Sequence, residues 1–546
     1  MNPKPMVLKT IPLKHHLWIL FAVSAMTIPF LDKAVHIDDT IYIYAARQIL
    51  QDPLRPFDFA IDWLGTSTRA IDSLVHPPLF SYYLSLPMAI LGESEQVLHG
   101  SLILFPLMAA YSMYSLTRRF AHRPLEATLL LLFAPPVFVA ASSIMLDLPG
   151  LACVLTATAI FVAGLDSGRK SLLAGSGLLL GAAFLIKEGA ALQYAFLGFY
   201  AFQRGRIKEA LLPLGIACAL PAGWIVFNFL MTGELLPALT GGWFVTLRLP
   251  MAERIVTLTG YLGGSVLILG CFLPPDKWRT GAGLGLLIAC VLFLIHPGRG
   301  LPGFSKILFL LILLNGAFLL VRAATVLRNR DLLKDPDSQF LLLWLAFPLA
   351  FVLMVVSYNA MRHMLMFLPA LILLLFRTGA PGPRFKTAIG ANLILLAFLS
   401  HGISIGDYHY SDSYRKYANV IARDIRLLNP ARTESGPSLW FTGHWGFQYY
   451  MDKNGGQILG MDRSGKLREG DWVVDLDQGH KNFLPALLRS RLQPVKTYHA
   501  ESPWPFRTMH RPTGAGWYAE MWGPLPFSLA PGIELETFSL YRIGNP

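Results

Sequence analysis

With 546 residues, 54% of them hydrophobic and only 15% charged, the chain falls well short of the roughly 25% charged residues of soluble domains, which excludes a soluble enzyme. Its formal net charge of +12 is carried mostly by short loops between apolar runs, where Lys and Arg set membrane orientation, so it does not imply a nucleic-acid partner. The four cysteines, Cys153, Cys218, Cys271 and Cys290, lie inside apolar runs without metal-ligand spacing, which excludes a disulfide framework and a thiolate metal site.

The first apolar run does not end at a small-residue cleavage site; it continues as an anchor. Hydropathy predicts about thirteen spans, near 15–32, 96–117, 126–144, 148–165, 171–186, 189–203, 210–231, 255–273, 281–296, 305–321, 339–356, 361–376 and 386–402. Pro135-Pro136 and Pro221 interrupt two of them. Cations alternate with these spans. One set of loops holds Lys4, Lys9 and Lys14; Arg118, Arg119 and Arg123; Arg169 and Lys170; and Arg204, Arg206 and Lys208. It continues with Lys277 and Arg279; Arg322, Arg328, Arg330 and Lys334; and Arg377, Arg384 and Lys386. The opposite loops hold fewer: Lys187, Arg248, Arg254, Arg299, Lys306 and Arg362. The positive-inside rule then puts the N-terminus in the cytoplasm, and an odd span count puts the C-terminal segment outside.

Two outer regions are large. The loop 33–95 carries Asp38-Asp39. Adjacent carboxylates repel each other and are costly beside a bilayer, which favours a working role, although Asp is also an ordinary residue of a helix's first turn. The other region is the tail 403–546. There Tyr417–Leu428 reads as an amphipathic helix, and Ser438–Thr442, Asp471–Asp475 and Phe538–Ile543 read as strands. The tail is therefore expected to be a small α/β domain on the outer face.

Sorted by side, Asp38, Asp39, His76, Asp147, Lys187, Glu188, His296, Arg299, Arg362 and His363 flank spans at the outer boundary. Cations suit a lipid-linked phosphate, and a carboxylate suits an acceptor's proton. Singly, each has a plain structural reading: a span-end cation snorkels, His296 beside Pro297 makes a turn, and Asp147 before Pro149 caps a helix. The joint pattern is what points to chemistry.

Several stretches resemble the polyprenyl-phosphate-sugar-dependent GT-C glycosyltransferases, of the branch holding protein O-mannosyltransferases and lipid A aminoarabinose transferases (glycosyltransferase family 39 or 83 type). Asp38-Asp39-Thr40-Ile41-Tyr42 is similar to that family's Asp-Glu-x-x-Tyr. His76-Pro77-Pro78-Leu79-Phe80-Ser81-Tyr82 is similar to its Lys-Pro-Pro-Leu-Tyr-Tyr segment. Asp147-Leu148-Pro149, Gly181-Ala182-Ala183-Phe184-Leu185-Ile186-Lys187 and Arg362-His363 leading to Pro369 resemble its later motifs, in the same order. The chain departs from the pattern at Asp39, which stands for Glu, and at His76, which stands for Lys. A His is only partly charged near neutral pH, which shifts phosphate binding toward Arg362 and Lys187 and argues against aminoarabinose as the sugar.

The resemblance implies a polytopic α-helical GT-C membrane domain over 1–402 and a periplasmic α/β domain over 403–546, in a bacterial inner membrane. It implies transfer of a sugar from a polyprenyl-phosphate carrier to a hydroxyl of a glycan, lipid or protein, with inversion at the anomeric carbon. Asp38 is the expected general base, with Asp39 orienting it or the sugar. Arg362 and Lys187 are expected at the leaving phosphate, assisted by His76, Asp147 and Tyr42. No cofactor is required; the alternative is a divalent ion held by Asp38, Asp39 and Asp147. The competing functions are an O-mannosyltransferase acting on exported polypeptides and a lipid-linked sugar transporter.

Overall fold

A computed structural model describes residues 10–544 except 64, 74–75, 234–248, 268–277, 297–299, 328, 379–382, 429–436 and 485. Lys4, Lys9, Arg248, Lys277, Arg299 and Arg328 lie outside the described residues, as do the side chains of Arg279 and Arg384.

The molecule is mostly helical. Six helices among the described residues are long and apolar enough to cross a membrane: Glu95–Phe120, Asp147–Ser167, Ile207–Thr232, Gly303–Ala324, Pro336–Met354 and Lys386–Leu428. Shorter apolar helices run over Leu79–Leu91, Lys170–Ile186, Gly281–Ile295 and Leu368–Thr378. Ile207–Thr232 turns Leu211, Val226, Phe229 and Leu230 outward, and only 22% of its most apolar window is buried. Water does not tolerate so large an apolar face, and the chain is a membrane protein.

Several expected spans prove to be composite. The stretch 126–144 breaks at Pro135 into Pro124–Leu132 and Pro135–Ala140, where two successive prolines remove backbone donors and open a new helix; Pro221, expected to interrupt 210–231, instead lies inside the continuous helix Ile207–Thr232. The stretch 361–376 begins as the tight turn Met361–Met366 before Leu368–Thr378. The loop 33–95, expected on the outer face, contains the helices Asp39–Gln51 and Leu79–Leu91, which pack together.

Asp147–Ser167 is the central helix, with 78% of its apolar window buried. Gly168 takes φ +71°, a left-handed stop that glycine supplies at no steric cost. Lys170–Ile186 then returns alongside and packs in turn on Ile207–Thr232. That second contact is close because Gly177 has no side chain: a Cβ there would lie 2.5 Å from the Pro213 carbonyl oxygen.

The boundary expected at 403 falls inside a helix, since Pro383–Leu428 is continuous. Hydropathy drops near 403, but the helix runs on and includes the expected Tyr417–Leu428 segment. Beyond it stands a five-stranded sheet in the order Gln457–Ile458, Leu439–Phe441, Trp472–Leu476, Glu536–Ile543, Leu492–Ala500. The first three strands are parallel neighbours and the last two pair antiparallel. The sheet segment docks on the chain just ahead of Asp38. The Val35 amide donates to the Tyr450 hydroxyl (2.9 Å), and Thr40 Oγ1 donates to the Trp445 carbonyl (2.8 Å).

Candidate active site

Asp38 precedes the helix Asp39–Gln51, and the residue before it, Ile37, has φ +47°. A β-branched residue in that region costs on the order of 1–3 kcal/mol and persists only where its surroundings hold it. Here the hold is the docked sheet segment and a buried hub. Lys33 Nζ lies 2.7 Å from Asp407 on the long helix, and Asp407 also accepts from Thr508 and Tyr518, both at 2.8 Å.

The strained turn aims Asp38 into a cavity of about 470 Å³. Tyr42, one helical turn on, shares its face. His76, Asp147, Lys187 and Arg362 line the same cavity. Asp147 opens the central helix and Lys187 follows the returning one, so the helical hairpin brings them together at 2.5 Å. Arg362 comes from the Met361–Met366 turn; it donates to the Tyr358 hydroxyl at 2.6 Å and stands 3.5 Å from Asp38. His76 contacts Glu188 at 2.8 Å. His296, an expected outer-boundary residue, does not line this cavity, whereas six of the seven residues given roles by the resemblance do.

The seventh does not. Asp39 is 1% exposed and does not line the cavity. Its Oδ2 accepts the His36 amide at 3.0 Å, and its Oδ1 has no hydrogen-bond partner among the described residues. Successive helical residues point about 100° apart, so two neighbouring carboxylates do not share one target. The expected acidic trio of Asp38, Asp39 and Asp147 accordingly does not converge. Among the described residues no group of three or more His, Cys, Asp or Glu is placed to hold a metal.

Electrostatics separate the pair as well. Burial raises the Asp38 carboxyl above its usual range, Arg362 opposes the rise, and the like charge of Asp147 adds to it. Burial pushes Asp39 up to about 7, against the pull of Lys33. Trp63, Ser73, Tyr358 and His363 also line the cavity. His363 and Glu188 were visible as outer-boundary residues, whereas no sequence signal marked Trp63, Ser73 or Tyr358.

The wall beyond these polar groups is apolar, formed by Leu151, Val154, Leu192, Phe196, Trp344 and Phe351. The site thus offers cations and carboxylates at one end and a greasy lining at the other.

Residues 75–227 match the model of the dolichyl-phosphate-mannose-protein mannosyltransferase family, a stretch that contains His76, Asp147, Lys187 and Glu188. Comparison with curated proteins finds no match. Among solved structures, the chain is similar to ArnT from Cupriavidus metallidurans bound to undecaprenyl phosphate, at 16% identity, covering 90% of this chain and 96% of that one with a TM-score of 0.47. It is also similar to the archaeal oligosaccharyltransferase AglB from Archaeoglobus fulgidus, at 13% identity, 85% and 69% coverage and a TM-score of 0.46. The S. cerevisiae protein O-mannosyltransferase Pmt1-Pmt2 complex matches at 16% identity over 45% of this chain and 37% of that one, with a TM-score of 0.31. Over residues 75–227 the chain is related to the dolichyl-phosphate-mannose-protein mannosyltransferases, in agreement with the GT-C glycosyltransferase resemblance carried by its motifs.

Proposed function

We propose that the chain is a multi-pass glycosyltransferase of a bacterial inner membrane. It moves a sugar from a polyprenyl-phosphate carrier to a hydroxyl acceptor at the periplasmic face, in modification of cell-envelope glycan, lipid or protein. The observation that supports this reading most is the two-sided cavity, whose charged end joins Arg362, Lys187 and Asp38 and whose other end is apolar. A polyprenyl phosphate has the same two-part chemistry.

In this reading the acceptor oxygen attacks the anomeric carbon and its proton passes to Asp38. The raised affinity of that carboxyl for a proton suits a general base. The bond from the anomeric carbon to the phosphate oxygen breaks with inversion, and the electron pair stays on the phosphate. Arg362 and Lys187 meet the charge that develops there, while Asp147 holds Lys187 at the cavity edge. Tyr42 flanks the sugar. The apolar wall takes the first isoprene units.

The about thirteen spans read by hydropathy, a cytoplasmic N-terminus, a membrane domain over 1–402 and a periplasmic α/β domain over 403–546 complete the proposal. The family description of the 75–227 match favours one particular acceptor, a polypeptide hydroxyl. The test is turnover in proteoliposomes supplied with undecaprenyl-phosphate-linked hexoses and pentoses and with lipid, glycan and peptide acceptors. Release of undecaprenyl phosphate that depends on one acceptor class is expected. A protein that neither binds nor consumes any of these donors contradicts the reading. A C-terminal alkaline phosphatase fusion should be active; an inactive fusion would put the tail on the other side.

A further inference from the structure

Glu188 has no part in the chemistry above, yet it is the residue that His76 touches. His76 precedes Pro77-Pro78 and the helix Leu79–Leu91; Glu188 opens the short turn Glu188–Ala190 directly after Lys187. The fold brings these distant segments together, with His76 Nδ1 2.8 Å from Glu188 Oε2. Both side chains line the cavity and both are partly open to it, at 24% and 30% exposure. Burial pushes the Glu188 carboxyl up, but the charge and hydrogen bond of His76 outweigh it and leave the carboxyl below its usual range. The other charged or titratable groups lining this cavity are Asp38, Tyr42, Asp147, Lys187, Tyr358, Arg362 and His363.

An imidazole has two chemically distinct nitrogens and a ring that turns, so it presents a donor in a fixed direction only when a partner holds it. Nδ1 is held by Glu188, and Nε2 has no protein partner among the described residues. In the protonated ring Nε2–H is then a charge-assisted donor for an oxyanion in the cavity. An ammonium group needs no such support, because its three donors rotate freely. We infer that Glu188 is a positioning residue for the lipid phosphate, acting through His76 by fixing the ring so that Nε2–H meets a phosphate oxygen. This rests on the reading of the cavity as a polyprenyl-phosphate site.

Loss of Glu188 acts with opposite signs under positioning and under simple electrostatics. Removing an anion beside a phosphate site should tighten phosphate binding. Removing a positioning carboxylate should weaken it.

The experiment is equilibrium binding of undecaprenyl phosphate, with undecaprenol as the uncharged control, to the full-length protein in nanodiscs. Wild type, Glu188→Ala, Glu188→Gln, His76→Lys and the double variant His76→Lys/Glu188→Ala are compared. Glu188→Ala is expected to weaken binding about tenfold, the lower end of what loss of an orienting partner costs a ligating histidine. Glu188→Gln keeps an acceptor oxygen and should recover most of the loss. In the His76→Lys background Glu188→Ala should cost less than about twofold, because the two substitutions act through one contact. Unchanged or tighter binding by Glu188→Ala in the wild-type background overturns the inference, as does an equal loss in both backgrounds. If wild type does not distinguish undecaprenyl phosphate from undecaprenol, the carrier reading itself fails, and this inference falls with it.

Discussion

The central helix Asp147–Ser167 carries a buried carboxylate near each end, and the two ends are built to opposite rules. Asp147 and Asp166 stand about 28 Å apart along the axis at 1.5 Å per residue. At the Asp166 end the charges close on one another. Arg119 lies 2.8 Å from Asp166 and 2.7 Å from Asp337, Arg204 lies 3.2 Å from Asp166, and the Tyr200 hydroxyl donates to Asp337 at 2.8 Å. Arg119 keeps only 1% of its side chain exposed there. At the Asp147 end the charges surround a cavity, and the Asp38–Arg362 contact is 3.5 Å, long enough for a ligand to compete with it. Burial and charge are common to both ends. The Lys187–Asp147 pair beside the Asp38–Arg362 contact is tight, at 2.5 Å, so what separates the candidate site from the structural network is the cavity itself and the one loose contact, Asp38 with Arg362, that opens onto it.

Substitutions should sort the two ends. Asp38→Asn keeps shape and removes basicity, so transfer is expected to fall roughly 10²–10⁴-fold with expression near wild type. In wild type the rate should fall on the acid side as Asp38 takes up a proton, at a pH above the usual carboxylate range because burial raises that carboxyl. Arg362→Ala should weaken carrier binding about 10–100-fold, equivalent to the roughly 1.5–3 kcal/mol of hydrogen bonds to charged groups. Acceptor use should change less. Unchanged carrier affinity would return Arg362 to the role of a span-end cation.

Asp39→Asn should cost only a few-fold in rate, since its side chain faces away from the cavity, but it should change how stability depends on pH. The folded protein holds this proton to about 7 against 3.8 for the free side chain. Folding therefore takes up a proton between those values. The associated stability is present below about 4 and is lost as pH rises toward 7. Melting across that range should flatten in Asp39→Asn, and an unchanged slope would contradict this placement. At the closed end, Arg119→Met should cost about 3–5 kcal/mol of stability by stranding buried carboxylates. The specific activity of the protein that still folds should be unaffected.

The residues that line the cavity were legible as a group because the alternation of cations along the chain sorts span ends by their expected side. That sorting gathered Asp38, His76, Asp147, Lys187 and Arg362, but also His296, which does not line the cavity. The resemblance gave Asp38 the role of base and kept Asp39 in the site as its orienting partner; that Asp39 stays outside the cavity was not legible, because adjacency along the chain hides a turn of about 100° in direction. In the sequence Arg119, Arg204 and Arg377 read as orientation signals. Arg119 and Arg204 prove to be members of the closed network, and Arg377 lies 2.6 Å from Asp335. The Lys33–Asp407 hub joins residues 374 positions apart, a distance at which local periodicity carries no signal. The helix through 403 was missed for a different reason: hydropathy reports where lipid ends, not where backbone hydrogen bonding ends.

The central claim is that Asp38 does chemistry rather than binding. Its most direct test measures both on one sample: purified Asp38→Asn, loaded with a radiolabelled undecaprenyl-phosphate-linked sugar that wild type uses, followed through a single turnover. The account predicts donor binding within a few-fold of wild type and transfer slowed by roughly 10²–10⁴-fold. Transfer at the wild-type rate from the bound donor would contradict it.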